Sequence, residues 1–311
     1  MYPTTTALTL LIISLTAAFA AIAWGLIRPG RYNTFERILY APVYALSRVL
    51  WRVDIEWLDA QPQPGGTPEP AQRSTDRERL LKERMTGGAV LVANHRCSID
   101  PFFVQLIAGC RVHWMVAGEY FKSPLLGDLL RAYEAIPTNR GGIDTNAIKR
   151  AIALAASGRF VGMFPEGRIN RTDQPLLSIR PGAATVALRA GVPLVPLWIE
   201  GAPVGPSIFS PLFRAAKIRV IVGQPDSWGL QRKQEALQHR AHAPHAAEGS
   251  RTEPSDASND VSVAHSATPA IDNDDRSIAE AWIHRVMQTA VQQSGRSADT
   301  IALAGKHWLQ E

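Results

Sequence analysis

The chain has 311 residues, 46% of them hydrophobic and 20% charged, with 33 Lys and Arg against 28 Asp and Glu. A chain this long and apolar buries a full-sized core, which excludes a wholly disordered protein. Its two cysteines, Cys97 and Cys110, build neither a disulfide framework nor the paired spacing of a zinc site, and the net charge of +5 favours anionic partners without choosing among them.

Residues 3 to 27 carry no charged side chain, and Ala7 to Ile27 gives 21 mostly apolar positions. As a helix that run is about 31 Å long, enough for a bilayer core of about 30 Å. A cleaved signal peptide is the competing reading, with A-x-A sites at Ala18-Phe19-Ala20 and Ala21-Ile22-Ala23, but no basic residue precedes the apolar run. A retained single-pass transmembrane helix is therefore expected. Arg28, Arg31, Arg37, Arg48 and Arg52 follow it, which by the positive-inside rule puts the remaining chain on the cytoplasmic face.

From Asn33 to Trp51, the residues Phe35, Leu39, Val43, Leu46 and Leu50 share one helical face. This predicts an interfacial amphipathic helix, with Tyr40, Tyr44 and Trp51 at the headgroup boundary and a kink or break at Pro42. An ordinary amphipathic helix packed on the next domain has the same pattern. Residues 1–58 thus read as membrane anchor and interfacial helix, and the Pro/Gly/Gln-rich stretch that follows, 59–78, as a linker.

Residues 79–230 alternate short β-rich runs (AVLVAN, RVHWMVA, AIPTN, FVGMFPEG, PLVPLWIEG, KIRVIVG) with helical ones (DPFFVQLIAG, LLGDLLRAY, NAIKRAIALAAS, AATVALRA), the signature of an α/β sheet covered on both faces. Pro193 and Pro196 remove ladder donors from the fifth of these β-rich runs and point to an edge strand or a bulged end. Residues 231–275 hold no aromatic residue and are expected to be a disordered linker, with His239, His242, His245 and His265 too irregularly spaced for a metal tract. Residues 276–311 form a C-terminal helix and tail, in which Ile278, Trp282, Val286 and Met287 lie at helical spacing and pack back onto the domain.

The densest chemical signal is Asn94-His95-Arg96-Cys97-Ser98-Ile99-Asp100, directly after a strand pattern, where α/β folds place reacting groups. A carboxylate on one imidazole nitrogen fixes the tautomer and leaves the other nitrogen to take a proton. Asp100 as a helix cap ahead of Pro101, with His95 a bystander, fits the same spacing. Cys97 as a thiolate nucleophile is the weaker alternative. Downstream lie Ala135-Ile136-Pro137-Thr138-Asn139-Arg140, then Phe164-Pro165-Glu166-Gly167-Arg168, then Val192-Pro193-Leu194-Val195-Pro196.

These four blocks, in this order between Asn94 and Pro196, resemble the motifs of the membrane-bound glycerolipid acyltransferases of the 1-acylglycerol-3-phosphate (lysophospholipid) type. The resemblance implies a mixed α/β sheet flanked by helices, and transfer of a fatty acyl group from acyl-CoA or acyl carrier protein to a lysophospholipid hydroxyl. It implies His95 as base, Asp100 as its orienter, and Arg140, Glu166, Gly167, Arg168 and Arg171 around the acceptor headgroup. Membrane lipids, the lysophospholipid and the thioester donor are the expected partners, with no cofactor, no metal and no nucleic acid. The residues leave Glu166 open as a turn residue paired with a nearby arginine.

The sequence departs from the family in three ways. Arg168 follows Gly167 directly where a Thr commonly intervenes, and Arg171 comes three residues later, so the phosphate falls to either or both. Asn139 stands where an acid often precedes Arg140. Phe-Pro-Glu-Gly-Arg also resembles acyltransferases of 2-acyl-lysophospholipids, which keeps another lysophospholipid acceptor open beside 1-acylglycerol-3-phosphate. Two rivals from other classes are a metal-dependent hydrolase using His95 and Asp100 as ligands and a non-catalytic lipid-binding protein of the same fold.

Overall fold

The computed structural model describes Thr9, Tyr32 and residues 34–58, 87–124, 126–139, 144–205, 207–242 and 273–295. The expected anchor (Thr9 apart), the expected linker at 59–78 and Arg140 lie outside the described residues. Among the described residues no helix is long and apolar enough to cross a membrane.

Among the described residues seven strands form one sheet in the order β1-β7-β6-β2-β5-β3-β4: β1 (Asp54–Trp57), β2 (Ala89–Ala93), β3 (Val112–Ala117), β4 (Ile136–Thr138), β5 (Phe160–Met163), β6 (Leu194–Glu200) and β7 (Arg219–Val222). All neighbours run parallel except β6 and β7, which are antiparallel, so the sheet is mixed. Every residue of β2 is buried because both faces are covered. Val90 and Val92 face a core closed by α4 (Thr145–Ala156), α5 (Gly182–Ala190) and α7 (Asn273–Gln293), with Trp228 and Leu230 of α6 (Trp228–His242) packed against it. Ala89, Leu91 and Ala93 face a second core, closed by α2 (Asp100–Ala108), Val43 of α1 (Thr34–Val49) and Trp51. The remaining helix, α3 (Leu126–Ala132), follows a 3-10 turn after β3.

The strand and helix runs expected between Ala89 and Val222 are all present, and Trp282, Val286 and Met287 pack into the first core as their spacing predicts. Four details differ. Asp54–Trp57, read as the end of the anchor segment, is the edge strand β1, stitched in by Arg219, whose guanidinium donates to Glu56 Oε2 at 2.7 Å and to Glu200 Oε2 at 3.3 Å. The sheet therefore begins before the linker rather than at residue 79. Helix α6 runs to His242, well into the segment read as disordered from 231.

Strand β6 sits in the middle of the sheet, not at an edge. Its prolines are tolerated because Pro193 precedes the strand and Pro196 falls at a register slip. The bridge pairs Leu194 with Asp226, whereas the ladder resumes at Leu197 with Val222, which leaves one extra residue on the β7 side. There the Pro196 carbonyl still accepts from Gly223 N–H at 2.8 Å.

Helix α1 is the fourth. It runs unbroken through Pro42, and its domain-facing side is more polar than the apolar stripe read from the sequence: Glu36, Tyr40, Val43 and Ser47 are buried. Glu36 pairs with Arg111 at 3.1 Å, Arg111 also holds Glu134, and Tyr133 donates to Leu39 O at 3.2 Å. Ion pairing thus sets the rotation of the helix, and it leaves Phe35, Ile38 and Val49 exposed on the outward side.

Candidate active site

The turn between β2 and α2 carries His95 and Asp100, and it is fixed from several directions. Asn94, buried at the end of β2, donates from Nδ2 to Ile199 O at 2.9 Å and accepts at Oδ1 from Ile199 N–H at 2.7 Å. Its amide replaces one backbone rung and pins the turn to β6. Asp100 is fully buried; its Oδ2 accepts from Arg96 N–H at 2.6 Å and Cys97 N–H at 2.8 Å and lies 3.0 Å from His95 Nδ1. The carboxylate reaches back into the turn rather than forward onto its own helix, whose N-cap Ile99 has no side-chain cap bond. The capping alternative is therefore not what the side chain does.

An ionised carboxylate accepts only, so His95 Nδ1 carries the proton and Nε2 is the free basic nitrogen. An oxygen already taking three hydrogens is a poor metal ligand, which weighs against the hydrolase reading.

The imidazole is stacked as well as hydrogen-bonded. His95 lies on Phe164 with centroids 3.9 Å apart and planes within 6°, and Phe164 lies on Trp114 at 4.7 Å and 18°. Trp114 can lie flat across β5 because Gly162 has no side chain: a Cβ there would stand 2.6 Å from the indole. The ring of His95 remains 16% exposed, so it is ordered without being sealed in.

The main chain of His95 is gripped too. Its N–H donates to Glu166 Oε1 at 2.7 Å and its carbonyl accepts from Asn170 N–H at 2.7 Å. The other Glu166 oxygen accepts from Leu177 N–H at 2.8 Å. Burial pushes the Glu166 carboxyl up to about 7, against the pull of the two backbone N–H groups. Glu166, read as an acceptor-binding residue, is thus buried beneath the turn and engaged with backbone. Gly167 makes the turn above it at φ +69°, with the Arg180 guanidinium 3.2 Å from where a Cβ would stand.

Arg168 and Arg171 are exposed and have no partner among the described residues, which leaves both cations free to meet an anion. Asp144 caps α4 by accepting from Ala147 N–H at 3.0 Å and also takes Asn139 N–H at 3.0 Å. Cys97 is buried, and burial, then the Asp100 carboxylate, push its thiol far above the ordinary range; it donates to Asp100 Oδ1 at 3.3 Å. A neutral, enclosed thiol is no nucleophile.

Sequence reasoning had no role for the Asn94 clamp, the Trp114–Phe164 stack or Asn170. Gly162 inside a β-rich run was the available signal, since a strand glycine marks a close approach.

Residues 71–200 match the protein-family model described as Acyltransferase. The 1-acyl-sn-glycerol-3-phosphate acyltransferase of Bacillus subtilis is 32% identical over 139 residues, 44% of this chain and 66% of that protein. The chloroplastic 1-acyl-sn-glycerol-3-phosphate acyltransferase LPAT1 of Arabidopsis thaliana is 29% identical over 140 residues, 44% of this chain and 39% of that one. Tafazzin of Drosophila melanogaster is 29% identical over 174 residues, 49% of this chain and 45% of that one. The chain thus spans between 39% and 66% of the length of the first two relatives. A solved structure, the 1-acyl-sn-glycerophosphate (LPA) acyltransferase PlsC of Thermotoga maritima, aligns with a TM-score of 0.42 at 18% identity, over 73% of this chain and 87% of that one.

Proposed function

We propose that this chain, whose residues 71–200 match the Acyltransferase family model, is a glycerolipid acyltransferase of the 1-acylglycerol-3-phosphate type, which moves a fatty acyl group from a thioester, acyl-CoA or acyl carrier protein, to the free hydroxyl of 1-acylglycerol-3-phosphate, giving phosphatidate. The observation that carries this is His95, with Nδ1 committed to a buried carboxylate at 3.0 Å and its ring held in a stack. An alcohol is a poor nucleophile until its proton leaves. Nε2 of His95 takes that proton as the alcohol oxygen attacks the thioester carbonyl. The C–S bond then breaks, and the departing thiolate takes the proton back from the imidazolium. This is triad logic with the substrate supplying the hydroxyl. No acyl-enzyme forms.

Arg168 and Arg171, joined by Arg140, receive the acceptor phosphate through paired guanidinium hydrogen bonds. A second reading, another lysophospholipid as acceptor, is favoured by the direct Gly167-Arg168 junction.

Residues 7–27 span the bilayer, the domain lies on the cytoplasmic face, and α1 rests at the interface on its outward Phe35, Ile38 and Val49. A lysolipid then need not leave the membrane to react, which would cost about 0.8 kcal/mol per methylene.

The test is turnover by purified protein on a panel of lysophospholipids with each thioester donor, for wild type and His95→Ala. Wild type consumes 1-acylglycerol-3-phosphate, and the variant loses about 10²–10⁴-fold while keeping its circular dichroism and membrane association. Near-normal turnover in the variant overturns the mechanism; consumption of a different acceptor alone selects the second reading.

A further inference from the structure

The segment joining β6 to β7, residues 201–218, contains no acidic residue and two basic ones, Arg214 and Lys217. Its base is closed tightly: Gly201, at φ +72°, lies so near Lys217 that a Cβ would meet the Lys217 carbonyl at 2.1 Å. Inside, Ser207 N–H donates to Ser210 Oγ at 3.2 Å, Ser210 N–H donates to Ser207 Oγ at 3.1 Å, and the Arg214 guanidinium donates to Val204 O. Pro211 is buried, and Leu212 and Ala216 pack on the second core. This is a self-bonded connection with a 3-10 turn at Ser210–Phe213, not a slack one.

Its apolar side chains nevertheless turn outward. Phe213 is 82% exposed, Val204 57% and Phe209 50%. Among the described residues nothing covers these two phenylalanines, on a loop that bonds polar groups internally. The loop also abuts the C-terminal end of α1, since Ala216 N–H donates to Leu50 O at 3.1 Å and Ile218 N–H donates to Trp51 O at 3.2 Å. There Val49 is 80% exposed, and Arg48 and Arg52 are exposed beside it. An apolar tip with a basic rim is the chemistry of a segment seated in an anionic lipid interface.

On its other side the loop touches the turn of His95. Ser98, inside the His95–Asp100 spacer, donates from Oγ to Ile208 O at 2.6 Å. The apolar tip is therefore one hydrogen bond away from the turn that carries the imidazole.

We propose that Val204 and residues 207–213 are a second membrane-contacting element, which seats Val204, Phe209 and Phe213 at the headgroup–acyl boundary of an anionic leaflet and sets the height of the His95 turn above it. The proposal deepens the membrane placement proposed above and rests on it.

The experiment uses the full chain in nanodiscs of phosphatidylcholine and phosphatidylglycerol, with a spin label at Phe209→Cys, at Phe213→Cys, and at Leu237→Cys on exposed α6 as reference; the native cysteines are buried. Labels at 209 and 213 should collide with oxygen in preference to a water-soluble nickel chelate and lie about 5–10 Å below the phosphates, while the label at 237 reads as aqueous. Aqueous readings at 209 and 213 overturn the proposal. So does shielding from both relaxants together with a label–label distance between two chains, which would make the patch a contact between copies. A Phe209→Ser/Phe213→Ser variant should lose about tenfold on a long-chain acceptor in vesicles and stay within about twofold on a short-chain soluble one. Equal losses on both make the loop a mere brace of Ser98 and overturn the docking role. Label depth is read without turnover, so a failure of the acyltransferase reading leaves this result distinct.

Discussion

The turn of His95 and the stretch that carries Arg168 and Arg171 lie side by side and are built on opposite principles. The first has its main chain held by Glu166 and Asn170, its ring by Asp100 and Phe164, and its root by Asn94 on β6. The second exposes two arginines with no partner among the described residues. A proton acceptor gains from being fixed before the substrate arrives, because geometry set in advance lowers the barrier at no further entropic cost. A phosphate grip tolerates loose cations, since charge attracts over distance and the guanidinium orders on contact.

The largest effect that would break this contrast is at Asp100. Asp100→Asn should lower kcat by about 10³–10⁴-fold with little change in KM, because an amide does not enforce the Nδ1–H tautomer. Steady-state kinetics that show only a few-fold loss would mean the ring is ordered by stacking alone.

Glu166 sharpens it next, through pH. Its carboxyl is raised from 4.5 to about 7, so the folded state favours the protonated form. The stabilisation is complete below about pH 4.5 and lost as pH rises through about 7, a drop on the order of 3 kcal/mol. Glu166→Gln should flatten that slope in chemical denaturation between pH 4.5 and 8, at a constant cost from a weakened bond to His95 or Leu177 N–H.

Gly162→Ala puts a methyl group into the Trp114 indole and through it disturbs Phe164 and His95. We expect a loss of about 1–3 kcal/mol in stability, a reduced kcat, and recovery of stability when Trp114→Leu makes room. The smallest structural effect belongs to Arg168→Ala and Arg171→Ala. Each should raise KM for a phosphate-bearing acceptor about tenfold and leave thermal stability within about 0.5 kcal/mol. If either also unfolds the turn, the two regions are not independent.

The strands of the central sheet were legible because AVLVA, FVGM and, after Arg219, VIV are apolar runs that a doubly covered sheet buries. Strand β1 was not, since DIEW is short, half charged, and joins the sheet through Arg219, 163 residues away from Glu56. The place of β6 was hidden for another reason: two prolines argue against a central strand unless a register slip removes the need for their N–H groups, and a slip depends on the partner strand. Helix α1 was found, but its rotation follows from Glu36 meeting Arg111 across the fold.

The local spacing of His95 and Asp100, the apolar period of each strand and the helical period around Trp282 are written in consecutive residues, and the sequence alone determined them because a turn, a strand and a helix are short-range objects. Which carboxylate lies under the imidazole's backbone, which ring stacks on it and which loop hangs from Ser98 are questions of neighbours 69 to 110 residues apart. The tertiary structure alone decided them, because only a closed sheet brings such distant groups within hydrogen-bonding reach.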